Sequence, residues 1–253
     1  MTSAIILKSA SELALMEEAN QIVAQTLCML REHIAPGVTT LHLDQLAEKF
    51  ARKHNATPAF KGYRGFPGSL CVSVNEQVVH GIPSRKVMLK EGDILSIDFG
   101  VKYKGYYGDA AITVPVGIIA SQAEDLLKVT RESLYEAIAQ VKVGNRIADI
   151  SQAVQDYVEE RGYSVVRQFV GHGIGQQLHE PPEIPNYRRS GRSPKLLAGM
   201  VLAIEPMVNA GAHDVKILGD GWTVVTIDRS LSAHFEHSVA VRENGPFILS
   251  HGL

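Results

Sequence analysis

The sequence predicts an α+β protein in which two α/β halves, related by a pseudo-two-fold repeat, build a central antiparallel sheet with helices packed outside it. Three observations predict this. Two pairs of amphipathic helix patterns occur, and each pair is followed by strand patterns. Matching positions of the two pairs lie at a constant separation of 107 residues. Four carboxylates and one histidine (Asp98, Asp109, His172, Glu205 and Glu236) recur in strand-like or Gly-rich contexts drawn from both halves.

The first half begins at Ser9-Ala10-Ser11-Glu12, a Ser-x-x-Glu capping box that satisfies free N–H groups at a helix start. Leu13, Met16, Ala19, Ile22, Val23, Leu27, Leu30 and Ile34 follow at helical spacing, and Pro36-Gly37 stops the run. A second helix carries Leu43, Leu46, Ala47 and Phe50. Strand patterns at Cys71–Val79 and Asp93–Gly100 complete this half. The same plan restarts at Ser121-Gln122-Ala123-Glu124, which predicts a second capping box. Leu126, Leu127, Leu134, Ala137, Ile138 and Val141 form its helix, and Gly144 ends it. The next helix carries Ile150, Ala153, Val154 and Tyr157. Strand patterns then run over Val165–Val170, Met200–Val208, Trp222–Asp228 and His234–Val241. The halves extend approximately from 9 to 116 and from 121 to 245, inside one domain spanning residues 1–253.

A chain of 253 residues buries a full core. With 45% hydrophobic and 21% charged residues, its composition is that of a soluble globular protein. A net charge of −2 gives no reason to expect nucleic acid or an anionic membrane as partner. The basic cluster Tyr187–Lys195 is interrupted by Ser, Gly and Pro and reads as a solvated loop. Cys28 sits in a helical pattern as a small buried apolar residue, and two cysteines make no disulfide framework. No run approaches the length of a membrane span or of a signal-peptide core, so the expected location is the cytoplasm.

A carboxylate inside a run such as Ile94-Leu95-Ser96-Ile97-Asp98-Phe99 is costly to bury without a compensating cation. Four such carboxylates repel one another, and one histidine cannot balance them; two divalent metal ions would. A hairpin turning near Tyr103-Lys104 would set Asp98 directly opposite Asp109, a like-charged pair that is unfavourable without a cation between. The run Gly171-His172-Gly173-Ile174-Gly175 allows close backbone approach, but lacks the Lys-Ser/Thr of a phosphate loop and the downstream acid of a dinucleotide site. No Gly-x-Ser-x-Gly elbow or His-Glu-x-x-His helix competes for the chemistry. Oxygen-rich ligation with one imidazole suits Mn, Fe(II), Co or Zn, and makes a dinuclear hydrolase the leading reading.

Six linked motifs carry a closer resemblance: Asn75-Glu76-Gln77-Val78-Val79-His80-Gly81-Ile82-Pro83, Ile97-Asp98, Gly108-Asp109, Gly171-His172-Gly173-Ile174-Gly175, Ile204-Glu205-Pro206-Met207-Val208 and Phe235-Glu236-His237. From Ser9 to Gly245 the chain resembles the type I methionine aminopeptidases, which have the pita-bread fold shared with creatinase. The resemblance implies a single catalytic domain and removal of the initiator methionine from nascent proteins and peptides, with a small second residue preferred. Asp109 and Glu236 would bridge two divalent ions, Asp98 would complete one site, and His172 and Glu205 the other. A bridging hydroxide would attack the scissile carbonyl, with Glu205 moving its proton. His179 would stabilise the oxyanion, and His80 would contact the scissile nitrogen. Tyr63, Phe66, Cys71 and Trp222, with Phe60 close by, would wall the methionine pocket, which selects by size and shape.

Two positions depart from the family pattern. Leu178 stands where phenylalanine is frequent, which is expected to widen or loosen the pocket. His234 stands where glutamine is frequent and adds a titratable group nearby. The short stretch between Glu205 and Glu236, with no zinc-finger region before Ser9, fits the compact bacterial form. The resemblance further implies a monomer acting on nascent chains, with transient ribosome association. Two rivals are a proline-directed peptidase of the same fold, which usually carries a long N-terminal domain, and a non-catalytic pita-bread binding module, which typically loses metal ligands.

Overall fold

The computed structural model describes residues 4–253. Helix α1 (Ala10–His33) starts at the expected capping box: the Ser9 N–H donates to Glu12 Oε2 at 2.8 Å, and Ser9 Oγ accepts the Glu12 N–H. Its buried stripe includes Met16, Ala19, Val23, Leu27 and Leu30. Gly37, at φ +90°, supplies the left-handed turn into α2 (Thr40–Lys53), which Thr39 caps. After β1 (Thr57–Pro58) come β2 (Cys71–Val74), β3 (Ile94–Tyr103) and β4 (Tyr106–Pro115). The second half repeats with α3 (Ser121–Ala139), α4 (Ile147–Glu159), β5 (Ser164–Val165), β6 (Gly171–Gly173), β7 (Glu180–Ile184) and β8 (Val201–Ile204). It continues through β9 (Met207–Asn209), β10 (Val215–Ile217), β11 (Val224–Thr226), β12 (Ser232–His234), β13 (Glu236–Arg242) and β14 (Gly245–Ile248). The main antiparallel sheet runs β1-β3-β4-β13-β8-β6-β7, with β2 also on β3 and β14 on β13.

The separation of 107 residues holds at the level of single hydrogen bonds. Gly37 N–H donates to Leu89 O, Leu89 N–H to Val38 O, and Thr40 N–H to Val87 O. Their counterparts are Gly144 to Leu196, Leu196 to Asn145, and Ile147 to Pro194. Gly92 and Gly199 share φ +91° and open β3 and β8 alike. At the centre of the sheet β4 and β13 pair antiparallel, with Ala110 opposite His237. One face of the sheet, including Ile97, Phe99, Ala110, Leu202 and Ile204, packs in the core shared with α1 and α3.

Several sequence expectations need correction. The β3–β4 hairpin turns at Lys104-Gly105, both at positive φ, a two-residue turn whose twist suits antiparallel strands. Asp98 therefore faces Ala111, and Asp109 faces Gly100; the two aspartates are diagonal rather than opposed. Ser121 is the first residue of α3, not its cap: Ala120 holds the extended capping conformation and no side chain caps the helix. The strand beginning at Cys71 stops at Val74, because Asn75 turns the chain at φ +54°. The Val165–Val170 strand is confined to the short β5. The strand expected over Trp222–Asp228 is β11 alone, since Asp220 caps a turn at Trp222 and Thr223. The Met200–Val208 and His234–Val241 strands are each divided, into β8 and β9 and into β12 and β13. Pro206 lacks the N–H that a continuing ladder needs, and there the chain crosses to the small sheet β12-β9-β5. Cys28 is half-buried, its thiol directed at Gly252 O at 3.4 Å.

Candidate active site

The register of the sheet gathers the five candidate ligands on one face. Cys71 pairs with Asp98, Asp98 with Ala111, and Ala111 with Glu236. Paired residues point the same way, and so do residues two apart on a strand, so Asp109 joins this face from β4. On β6, His172 pairs with Ala203, two residues before Glu205. Glu205 lies just past β8 and thus on the same side. Asp98 and Glu205 are also counterparts at the repeat separation.

Close backbone approach fixes the ligands further. The Asp109 N–H donates to Asn20 Oδ1 at 3.3 Å, and Asn20 is anchored on Met16 O within α1. Gly108 makes this contact between α1 and β4 fit, since a Cβ there would lie 2.7 Å from Asn20 N. Opposite Asp109, Gly100 leaves the space the carboxylate uses; a Cβ would stand 2.9 Å from the Phe60 ring and 3.1 Å from Asp109 Oδ1. Gly100→Ala is accordingly expected to displace Asp109 and weaken metal binding about 10-fold or more. Isothermal titration of the metal-free variant checks this, and an unchanged affinity would contradict it.

Donor atoms of Asp109, His172 and Glu236 lie within 4.8 Å of one another. His172 Nε2 stands 3.6 Å from Glu205 Oε1. Asp98 Oδ1, Asp109 Oδ1 and Glu236 Oε1 are shut off from solvent without any hydrogen-bond partner. Buried oxygens are not normally left so, and a cation is the missing partner. Burial pushes Asp98 up to about 7. Burial, then repulsion from neighbouring carboxylates, holds Asp109, Glu205 and Glu236 well above the usual carboxylate range. Burial draws His172 down to about 4, so its imidazole is neutral and ready to ligate. Four carboxylates and a neutral imidazole fit divalent ions that accept oxygen and nitrogen, and the lack of thiolate ligands does not fit a structural zinc site.

A cavity of about 290 Å³ opens onto these ligands. Phe60, Tyr63, Phe66, Cys71 and Trp222 line it, as do His80, Leu178 and His179. Phe66 meets Trp222 edge-on with ring centroids 5.2 Å apart. Tyr63 stacks on His179, and its hydroxyl lies 2.9 Å from His179 Nδ1. The His179 and His172 rings are 4.2 Å apart, centre to centre. His80 sits at φ +60°, a sparsely allowed conformation for a residue with a Cβ, and burial lowers it to about 4. Leu178 is buried in the same apolar cluster as Phe66 and Cys71.

Sequence reasoning missed Arg64, Val79, Phe169, Val170 and Met207, which also line the cavity. Met207 lies inside the Ile204–Val208 motif and Phe169 two residues before Gly171, and Phe169 meets His80 edge-on at 5.5 Å. His234 lies beside the site, as its motif position implied. Its Nε2 is buried without a partner, 3.8 Å from Glu205 Oε2.

Comparison with known proteins agrees with this geometry. The model of metallopeptidase family M24 matches residues 14–243. The chain belongs to this family. It is 56% identical to the methionine aminopeptidase of Clostridium perfringens over 246 residues, 97% of this chain and 98% of that one. It is also 56% identical to methionine aminopeptidase 1 of Bacillus subtilis, with 97% and 99% covered. The crystal structure of the methionine aminopeptidase of Thermotoga maritima superposes with a TM-score of 0.96 at 46% identity, covering 98% of this chain and 99% of that one. The pita-bread fold and the use of divalent metal follow from family membership and from the orphaned carboxylates. Among the described residues, no helix is long and apolar enough to cross a membrane.

Proposed function

We propose that this protein is a metal-dependent methionine aminopeptidase that removes the N-terminal initiator methionine from nascent proteins and peptides and prefers a small second residue. The observation that carries this reading is an apolar, aromatic-walled cavity ending on a one-sided array of buried carboxylates that lack a counter-charge. The single catalytic domain spans 1–253, with halves of about 9–116 and 121–245 meeting at the site.

Asp98, Asp109, His172, Glu205 and Glu236 would hold two divalent ions, from among Co, Mn, Fe(II) and Zn. When bound, such ions supply an acidified water as nucleophile and a Lewis acid for the scissile carbonyl. The protein's own groups do the rest. Glu205, placed beside His172 and the buried His234, accepts the nucleophile's proton. The Tyr63 hydroxyl, 2.9 Å from His179 Nδ1, is placed to donate to it; in that tautomer the imidazole carries its proton on Nε2 and hydrogen-bonds the developing oxyanion. Burial and the neighbouring His172 hold His179 well below the usual imidazole range, so it works as a neutral donor. His80, held against Phe169 and Trp222, contacts the scissile nitrogen and assists its protonation as the bond breaks. Tyr63, Phe66, Cys71 and Trp222 enclose the methionine side chain and select it by size and shape. Both cysteines are free, which suits a reducing cytoplasm; the protein would act there as a monomer in transient contact with the ribosome.

The test is a competition between Met-Ala-Ser and Ala-Pro-containing peptides after metal is restored to the metal-free protein. Methionine release is expected; preferential cleavage of the proline-linked peptide overturns the reading. His179→Ala is expected to lower kcat about 10²–10³-fold, the cost of an oxyanion donor, as read by steady-state kinetics on Met-Ala-Ser.

A further inference from the structure

Beneath the loop that joins His172 to His179 lies an ion pair formed across 172 residues of sequence. Lys8, just ahead of α1, reaches Glu180 with its ammonium 2.5 Å from Oε2, and both side chains are almost fully buried. Glu180 Oε1 accepts the Gln177 N–H at 3.0 Å, so one carboxylate ties the loop to itself and to the N-terminal segment. Lys8 is fixed in turn, its N–H donating to Gly199 O at 2.7 Å. The third glycine of Gly171-His172-Gly173-Ile174-Gly175 is explained by this contact. A Cβ at Gly175 would fall 2.5 Å from Lys8 Cε and 2.6 Å from Glu180 Oε1. The loop is therefore folded around the pair, with His179 covalently next to Glu180 and Gly173 paired across from Glu180.

We propose that Lys8 is a positioning residue, which holds the His172–His179 loop through Glu180 and so sets the His179 ring over the site without touching substrate. A buried carboxylate that has lost its ammonium seeks water or a proton. The Gln177 bond is then released, and the backbone beside His179 moves. A positional error of this kind at a donor reduces turnover more than substrate binding. The proposal rests on the role given to His179 above, and its test separates the two.

In the test, Lys8→Met and Lys8→Arg are compared with the unaltered protein, each also in the His179→Ala background. Lys8→Met is expected to lower kcat about 10- to 100-fold with KM nearly unchanged. Lys8→Arg is expected to recover most of the loss, because it restores the charge. In the His179→Ala background Lys8→Met should cost almost nothing further. Amide hydrogen exchange at Gln177 should quicken in Lys8→Met; this readout needs no assumption about substrate. Should Lys8→Met prove poorly folded, the double variant with Glu180→Gln removes the unpaired charge and serves in its place. An equal loss of kcat with and without His179, or unchanged exchange at Gln177, overturns the proposal. If His179→Ala itself is fully active, the catalytic reading fails, and quickened Gln177 exchange still supports the clamp on the loop.

Discussion

Glu205→Gln is expected to lower kcat by about three to four orders of magnitude, with the fold retained. The loss combines two effects. An amide cannot accept the proton that a general base must take, an effect typically of 10²–10⁴. It also removes one of the charges that hold divalent metal. Glu205 lies beside His172 on one side and the buried His234 on the other, so its oxygens are confined rather than free to rearrange. Asp98→Asn, its counterpart in the first half, should produce a loss of similar order. Steady-state kinetics at saturating metal, with circular dichroism as the check on folding, measures both. Near-normal turnover in both variants would reject the assigned site.

The second large effect concerns removal of metal. Stripped of cations, the site holds four carboxylates that folding forces together, and burial and mutual repulsion keep their protons on. Each has a folded-state pKa above its unfolded value, so the folded chain binds more protons than the unfolded chain. Stability contributed by these protons is fully present below the unfolded values near 4 and is lost as pH rises through the folded ones. Asp98, raised to about 7, places one such loss between about pH 4 and 7. The histidines His80, His172, His179, His234 and His237, lowered to about 3–4, act with the opposite sign up to their unfolded value near 6.5. The carboxylate loss therefore shows above that value, and the metal-free protein should melt at progressively lower temperature from about pH 6.5 to 7.5. Divalent metal needs the deprotonated ligands and reverses the trend, so its stabilisation grows with pH. At 100 times its dissociation constant, one ion contributes about 2.7 kcal/mol, and a chain of this size then gains about 5–10 °C in melting temperature. Thermal melts with and without chelator across this pH range provide the check. A chelated protein that grows more stable toward pH 7.5 would contradict the assignment.

Much of the fold was legible because local chemistry and long-range packing agree. Ser9 caps where its motif says, and the repeat separation survives into individual hydrogen bonds of both halves. The four candidate carboxylates stood out because a carboxylate in an apolar strand is costly to bury without a partner. The misses have physical causes too. The hairpin register turned on whether the chain reverses at Tyr103-Lys104 or at Lys104-Gly105, a choice made by backbone twist rather than by hydrophobic pattern. Ser121 carries the capping motif one residue too late, because Ala120 accepts the Ala123 and Glu124 N–H groups with its own carbonyl. Phe169 falls in the strand expected over Val165–Val170, but the chain there is an irregular link between β5 and β6, so strand alternation does not give its direction. Lys8 belongs to none of the sequence motifs, and only the folded chain brings Glu180 to it.

We propose that the candidate ligands of both halves form one dinuclear site for methionine release. This is tested most directly by titrating the metal-free protein with Mn(II) or Co(II) while following heat and the release of methionine from Met-Ala-Ser in parallel. No turnover is expected without metal; activity should rise with binding to two ions per chain at saturation, and both signals should be lost in Asp109→Asn. Methionine release by the metal-free protein, or an Asp109→Asn variant that binds and turns over normally, would contradict it.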